Sequence, residues 1–562
     1  MMGIALLAPT SARAQELTGA EYYRLRQQAD SLFRAVDIAG TITILNRLLA
    51  HDDRDGELWQ RLARAYEMQQ KRPEAIAAFQ NVIRVGYEYT PGYLFAIARL
   101  YGQQNQRDSA VAYVRQALEG HFVGRERLRT DDAFASMRED PEFRKLAGFP
   151  PANLTRDQRW QFDLDYLVEE AKRLHGAPER FAFRKEFDDA AAALRRDIPR
   201  LDDETIIARL RGLLVQLDDG HTGAFFENAM RAPIGLQWFR DGIFITRDLT
   251  TAAEPTVPGD TTLLGSKVVA VEGVPVMDAV RRVSSFITRD HEMGVRAVAP
   301  FDLAHRPILK GAQLLRDTIA LSLTLQTRNG RSRTVSIPFA RANTFADRLN
   351  RPPGDSASRP MYMQRVNTAY WMKPLPEANA VYMQFNAVRN DAQNPLPQFA
   401  KRLTQVLDST RAKTLIVDLR HNGGGNSYLF PPFIKSMIVF KEKSPDHQVF
   451  VITSRNTFSA AQNFATAIDQ WVGATFVGEP SGSRANFVGE SSAFQLPATG
   501  TRANISWRWH QYSQWVDHRK WLAPKIPAEM TSADWFGGRD PALEAIVEVL
   551  RPAKGDQLKA TS

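Results

Sequence analysis

Three short stretches of this 562-residue chain combine residue types suited to acyl-transfer chemistry. The first is Thr457-Phe458-Ser459-Ala460-Ala461. It follows Val449 to Thr453, a run of the buried-strand type, and opens a helical pattern carrying Ala460, Ala461, Phe464, Ala465 and Ile468. A serine at such a junction points its hydroxyl beyond the sheet edge, where free helix N–H groups surround a developing negative charge. The alternative is an ordinary N-cap, a role that serine commonly fills. The second stretch is Asn422-Gly423-Gly424-Gly425. Its bare backbone N–H groups suit an oxyanion hole, with the Ala460 N–H as a second donor. A glycine-rich turn can also cradle phosphate, but this one lacks both the Lys-Ser/Thr ending of a P-loop and the G-x-G-x-x-G spacing. The third stretch is Asp218-Asp219-Gly220-His221-Thr222, a tight polar turn that holds an imidazole in the open. A serine hydroxyl is a weak nucleophile near neutral pH and needs such a base. Without that task, His221 would be a turn histidine with no chemical role.

The elements around these stretches define a multidomain α+β chain. Thr414 to Leu419, Val449 to Thr453 and Ala474 to Val477 are apolar runs that end in polar or glycine-rich turns, an α/β pattern expected over residues 346–556. Residues 151–222 read as a helical bundle that stops at the His221 turn. Residues 223–345 read as β-rich, with strands at Ile243 to Thr246, Lys267 to Val271, Ile319 to Leu325 and Thr334 to Ile337. Leu264 to Val276, followed by a helix from Met277, resembles the strand-turn-strand-helix of a PDZ domain; residues 340–361 read as a linker. Residues 15–150 read as tetratricopeptide-like helix pairs. Trp59, Leu62, Ala63, Tyr66, Ala75, Phe79 and Val82 recur as Leu94, Ile97, Ala98, Tyr101, Ala110, Val114 and Ala117. A less regular pair precedes them around Ala39 to Leu49. Such arrays hold partners rather than react, so a protein partner is expected there.

Four motifs in order carry a resemblance: Asp219 to Thr222, Asp418-Leu419-Arg420-His421-Asn422-Gly423-Gly424-Gly425, Phe458 to Ala461, and Gly478-Glu479-Pro480-Ser481-Gly482. They resemble the tail-specific (carboxyl-terminal-processing) serine protease family. Gly538-Arg539-Asp540-Pro541 looks like that family's C-terminal end. The His-bearing form is similar to the tricorn protease core and interphotoreceptor retinoid-binding protein, rather than to enzymes with a serine–lysine pair. The resemblance implies a crotonase-like α/β protease core. It makes Ser459 the nucleophile and His221 the general base, with Gly423 or Gly424 and Ala460 as oxyanion donors. It also implies a third, acidic member ahead of Ala523-Pro524-Lys525-Ile526, for which Asp517 fits best and Glu490 is second. With a carboxylate beside His221, turnover is expected to rise through about pH 6 to 7.5. The chain departs from the family in having Gln462 where many members have Glu, and Arg484 near the dyad lysine's place. Arginine cannot act as a base, and no lysine lies between Lys443 and Lys520.

Composition narrows the classes further. With 72 basic and 63 acidic residues the formal charge is +9, but no basic run reaches five, which argues against a nucleic-acid surface. The absence of cysteine removes thiol nucleophiles, disulfides and cysteine-ligated zinc. No H-E-x-x-H occurs, acyl transfer needs no metal or organic cofactor, and none is expected. An apolar run from Gly3 to Ala8 leads to Ala12-Arg13-Ala14-Gln15, a secretory cleavage pattern, so residues 1–14 read as a signal peptide without the usual positive start. No stretch is long and apolar enough to span a membrane. The expectation is thus an exported, periplasmic or secreted serine endopeptidase acting on peptide or protein substrates, with the resemblance pointing to protein C-termini. The alternatives are a catalytically inactive peptide- or apolar-ligand scaffold on the same fold, and an acyl-CoA hydratase-like enzyme.

Overall fold

The computed structural model describes residues 17–176, 185–250, 262–342 and 359–551. The apolar N-terminal run, the Ala12–Ala14 pattern and most of the 340–361 linker lie outside the described residues. The chain divides into two compact units between Leu154 and Thr155.

In the first unit six helices, Gly19–Arg34, Ile38–His51, Gly56–Met68, Arg72–Arg84, Thr90–Gly102 and Arg107–Glu119, each pack on the next in sequence. Burial repeats position by position. Leu62 and Ile97, Ala63 and Ala98, Ala75 and Ala110, Phe79 and Val114, and Val82 and Ala117 are all buried, while Trp59 and Leu94, and Tyr66 and Tyr101, are half-buried. Val36, Gln70 and Asn105 stand in the left-handed region at the turn within each pair, which ends the first helix abruptly and reverses the chain. The first pair starts well before Ala39, at a Thr18–Glu21 capping box.

The second unit opens with three helices, Arg156–Leu174, Lys185–Asp197 and Asp203–Leu214, that lead to the His221 turn. An antiparallel sheet follows in the order Ile234–Phe239, Gly242–Asp248, Lys267–Val271, Ala320–Gln326, Ser332–Pro338, with Val274–Pro275 folded back on Lys267–Val271. Its buried side is built from alternate residues such as Leu321, Leu323 and Leu325, as the strand period of two requires. Helices Val276–Ser284 and Glu292–Asp302 belong to this part.

The other main sheet runs Tyr370–Leu375, Ala380–Phe385, Thr414–Asp418, Gln448–Thr453, Thr475–Gly478, Ile526–Pro527, parallel throughout except for its first pair. Alternate residues serve its two faces. Val381, Met383 and Phe385 share a core with Leu403, Phe433 and Phe464 of helices Leu396–Thr410, Pro431–Glu442 and Ala460–Trp471. Ala380, Tyr382, Ile416 and Val477 pack with Ala542 and Ile546 of helix Pro541–Leu550. Burial on both faces is why Thr414–Asp418 reads as one uninterrupted apolar run. A long hairpin, Asn486–Gln495 with Arg502–Gln511, carries Gly223–Ala224 on its second strand and so draws in the His221 turn.

Two of the sequence motifs meet in a buried ion cluster. Arg420 donates Nε to Asp418 Oδ1 at 3.0 Å and its two terminal nitrogens to Asp540 at 2.9 and 3.1 Å. Tyr382 adds its hydroxyl to Asp418 at 2.6 Å. Asp-Leu-Arg and Arg-Asp-Pro thus form a clamp between the sheet's C-terminal edge and the last helix. Arg420→Met is expected to lower stability by ~3–5 kcal/mol, since two buried carboxylates lose their cation. Denaturant titration measures this, and an unchanged midpoint would exclude the clamp as a stabilising element.

Candidate active site

Ser459 sits between the Gln448–Thr453 strand and the Ala460–Trp471 helix, with φ 56° and ψ −124°. A non-glycine residue in that region costs ~1–3 kcal/mol and persists only where its surroundings enforce it. The enforcement is visible. Thr457 Oγ1 donates to the Leu419 carbonyl at 2.9 Å, the Phe458 N–H donates to the Asn422 carbonyl at 3.1 Å, and the Ser459 N–H faces Ser483 Oγ at 3.4 Å. The serine side chain makes no capping hydrogen bond to its helix. The N-cap alternative therefore does not account for it.

The glycine turn lies against this serine. Gly424 has φ 113°, and a Cβ on it would stand 2.7 Å from Ser459 Cβ and 3.0 Å from the Ala460 nitrogen. A Cβ on Gly425 would meet the Val388 carbonyl oxygen at 2.1 Å. Only glycine lets these backbones close up. Asn422 shapes the turn, donating Nδ2 to the Phe385 carbonyl at 2.8 Å and accepting the Gly424 N–H at 3.0 Å. Gly424 therefore spends its N–H on Asn422, which corrects its expected role as an oxyanion donor. The Gly423 and Ala460 N–H groups make no hydrogen bond among the described residues.

His221 lies against the residue preceding Ser459. Its ring stacks on Phe458 at 4.4 Å between centroids, and at 5.5 Å on Phe487 with the planes 3° apart. This aromatic sandwich buries the imidazole instead of holding it in the open. Burial pushes its pKa down to about 4, against the opposing pull of Asp219 and the Val488 carbonyl. Neither ring nitrogen has a hydrogen-bond partner among the described residues. Asp219 holds the turn from beneath, accepting the N–H groups of His221 at 2.8 Å and Thr222 at 2.7 Å and the Ser506 hydroxyl at 2.7 Å. Burial alone would raise Asp219, but the hydrogen bond with His175 Nε2 at 3.1 Å and the other donors outweigh it and keep the carboxyl ionised.

The expected acids are elsewhere. Asp517 accepts from Ser513 at 2.6 Å and from Arg519 at 2.8 Å, and Arg519 holds it down to about 2. Glu490, exposed, faces His510 at 3.8 Å. Neither makes a hydrogen bond to the His221 ring among the described residues: Asp517 is held by Ser513 and Arg519, and Glu490 faces His510. Arg484 pairs with Asp218 at 2.6 Å, and Gln462 is buried with Nε2 3.2 Å from Thr466 Oγ1.

Sequence reasoning missed Phe487, Ser483 and Asp290. Asp290 is fully buried and accepts the Gly220 N–H at 2.8 Å and the Arg484 N–H at 3.3 Å. Nothing local marks it, since its partners lie 70 and 194 positions away.

No family model and no curated protein matches the chain. Among solved structures, a mutant of CPAF matches at 13% identity with a TM-score of 0.50, covering 72% of this chain and 98% of that one. Mature CPAF complexed with lactacystin matches at 13% identity and 0.49, covering 70% and 98%. The photosystem II D1 C-terminal processing protease matches at 13% identity and 0.34, covering 71% and 98%. At this identity the likeness is one of fold, and the fold this chain shares is that of CPAF.

Proposed function

We propose that this protein is a serine endopeptidase that cleaves peptide bonds through an acyl-enzyme. Ser459 attacks the carbonyl carbon while His221 takes its proton and returns it to the leaving amine. The oxyanion is met by the Gly423 and Ala460 N–H groups. Gly424 contributes by lacking a side chain. One observation carries this reading: Ser459 is held at φ 56° with its hydroxyl unused as a cap, against a glycine with no room for a side chain.

A cavity of about 530 Å³ lies along the outer Ile234–Phe239 strand and helix Glu292–Asp302, and reaches Thr453, Arg455 and Glu479 at the end of the parallel sheet. An extended peptide could add to that strand, with pockets for alternate side chains. The Trp238 carbonyl there already accepts from Arg455 at 2.8 Å. Preference for protein C-termini, a protein partner for the first unit's helix pairs, and export by way of the Ala12–Ala14 pattern belong to the same proposal. Among the described residues no helix is long and apolar enough to cross a membrane.

That no carboxylate hydrogen-bonds the His221 ring among the described residues favours one other reading, an inactive ligand-binding scaffold. A fluorophosphonate probe separates the two. Covalent labelling of the wild type that disappears in Ser459→Ala supports the peptidase; an unlabelled wild type supports the scaffold.

A further inference from the structure

Two fully buried carboxyls, Asp219 and Asp290, lie under the His221 turn. Asp219 holds that turn, the hairpin behind it and His175. Asp290 does something different. One of its oxygens holds Gly220, the residue before the base, and the other holds Arg484. Arg484 follows Ser483, whose hydroxyl faces the Ser459 N–H. The two segments are far apart in sequence and belong to different elements, so their relative position depends on what joins them. A second contact supports the join: the Arg484 guanidinium reaches Asp218 at 2.6 Å.

We propose that Asp290 is a positioning residue that sets His221 against Ser459 by bridging the base turn and the loop behind the nucleophile. The inference rests on the serine peptidase reading above. A carboxylate can accept both N–H groups at full strength, whereas a carboxylic acid presents a hydroxyl to one of them. The ionised form is therefore the aligning one.

The charged groups around Asp290 set when it ionises. Burial, then the anionic Asp219, push its pKa up to about 7, against the Gly220 N–H and Arg484. Asp218 is paired with Arg484. The neighbouring His291, which rests against Trp521, is itself pushed down to about 4 by burial, with Glu292 and Lys520 acting on it. His221 is held at about 4. Asp290 is thus poised to change charge close to neutrality. An acid limb near pH 7 would then report a residue that never touches substrate.

Full-length wild type and Asp290→Asn are to be compared on a quenched fluorescent peptide from about pH 5 to 9. The amide keeps size and one acceptor but opposes its NH2 to the other N–H. In the wild type kcat is expected to fall below about pH 7. In Asp290→Asn that limb should vanish, with kcat at pH 8 lower by ~10–100-fold and KM within about twofold, as for a misaligned site that still binds. An Asp290→Asn protein with wild-type kcat and an intact limb overturns the proposal. If the variant does not fold, the wild type decides: fluorophosphonate labelling of Ser459 must slow below about pH 7, and a flat rate between about pH 6 and 8 overturns it. Peptide hydrolysis that survives Ser459→Ala instead removes the peptidase reading on which this rests.

Discussion

Ser459→Ala is expected to abolish peptide hydrolysis, with turnover falling ~10⁴-fold or more. The size follows from the role, since without the hydroxyl no acyl-enzyme forms and only binding and the oxyanion donors remain. The fold should be untouched. The hydroxyl makes no capping bond, and the helix start is secured by backbone contacts, including the Asn463 N–H to Ser459 carbonyl bond at 3.0 Å. Alanine keeps the Cβ that packs beside Gly424. Turnover and circular dichroism on the same preparation check both halves. A folded mutant that retains a tenth of wild-type turnover would show that another residue is the nucleophile.

His221→Ala is expected to be nearly as damaging, because nucleophile and base act as a unit. The pH dependence gives a sharper test. His221 accepts a proton only when neutral, and burial between Phe458 and Phe487 keeps it neutral above about 4. The limb due to the base therefore lies near pH 4, below the pH 6 to 7.5 rise that an exposed, carboxylate-paired histidine would give. In an Asp290→Asn background kcat/KM should stay level from about pH 5 upward and fall only as pH approaches 4. Lys520→Met and Lys525→Met, both exposed positions, should change little. Near-normal turnover in His221→Ala with collapse in either lysine variant would reverse the assignment of the base.

Local order was legible in the residues. The strand expected at Lys267 to Val271 spans those positions, and the run from Thr414 is a strand buried on both faces. Such runs follow from side-chain period and burial, which each segment carries in itself. The repeat in the first unit was legible for the same reason, because each helix pair meets its neighbours through the same residue types. The Asn486–Gln495 and Arg502–Gln511 hairpin was not. Its exposed and buried positions do not alternate regularly, and its partner on the far edge is the two-residue Gly223–Ala224 strand.

At the site, the sequence by itself determined residue types and local shape. Small residues and a serine follow a buried strand, a glycine triplet follows the neighbouring strand, and a polar turn carries a histidine. Tertiary structure decided the rest. It buried His221 between two phenylalanines, one of them 266 positions further along the chain. It engaged Asp517 with Ser513 and Arg519, spent the Gly424 N–H on Asn422, and placed Asp290 between two distant loops. Desolvation and hydrogen-bond pairing arise only when segments remote in sequence exclude water together, so the ionisation and partners of these groups cannot be read from any one segment.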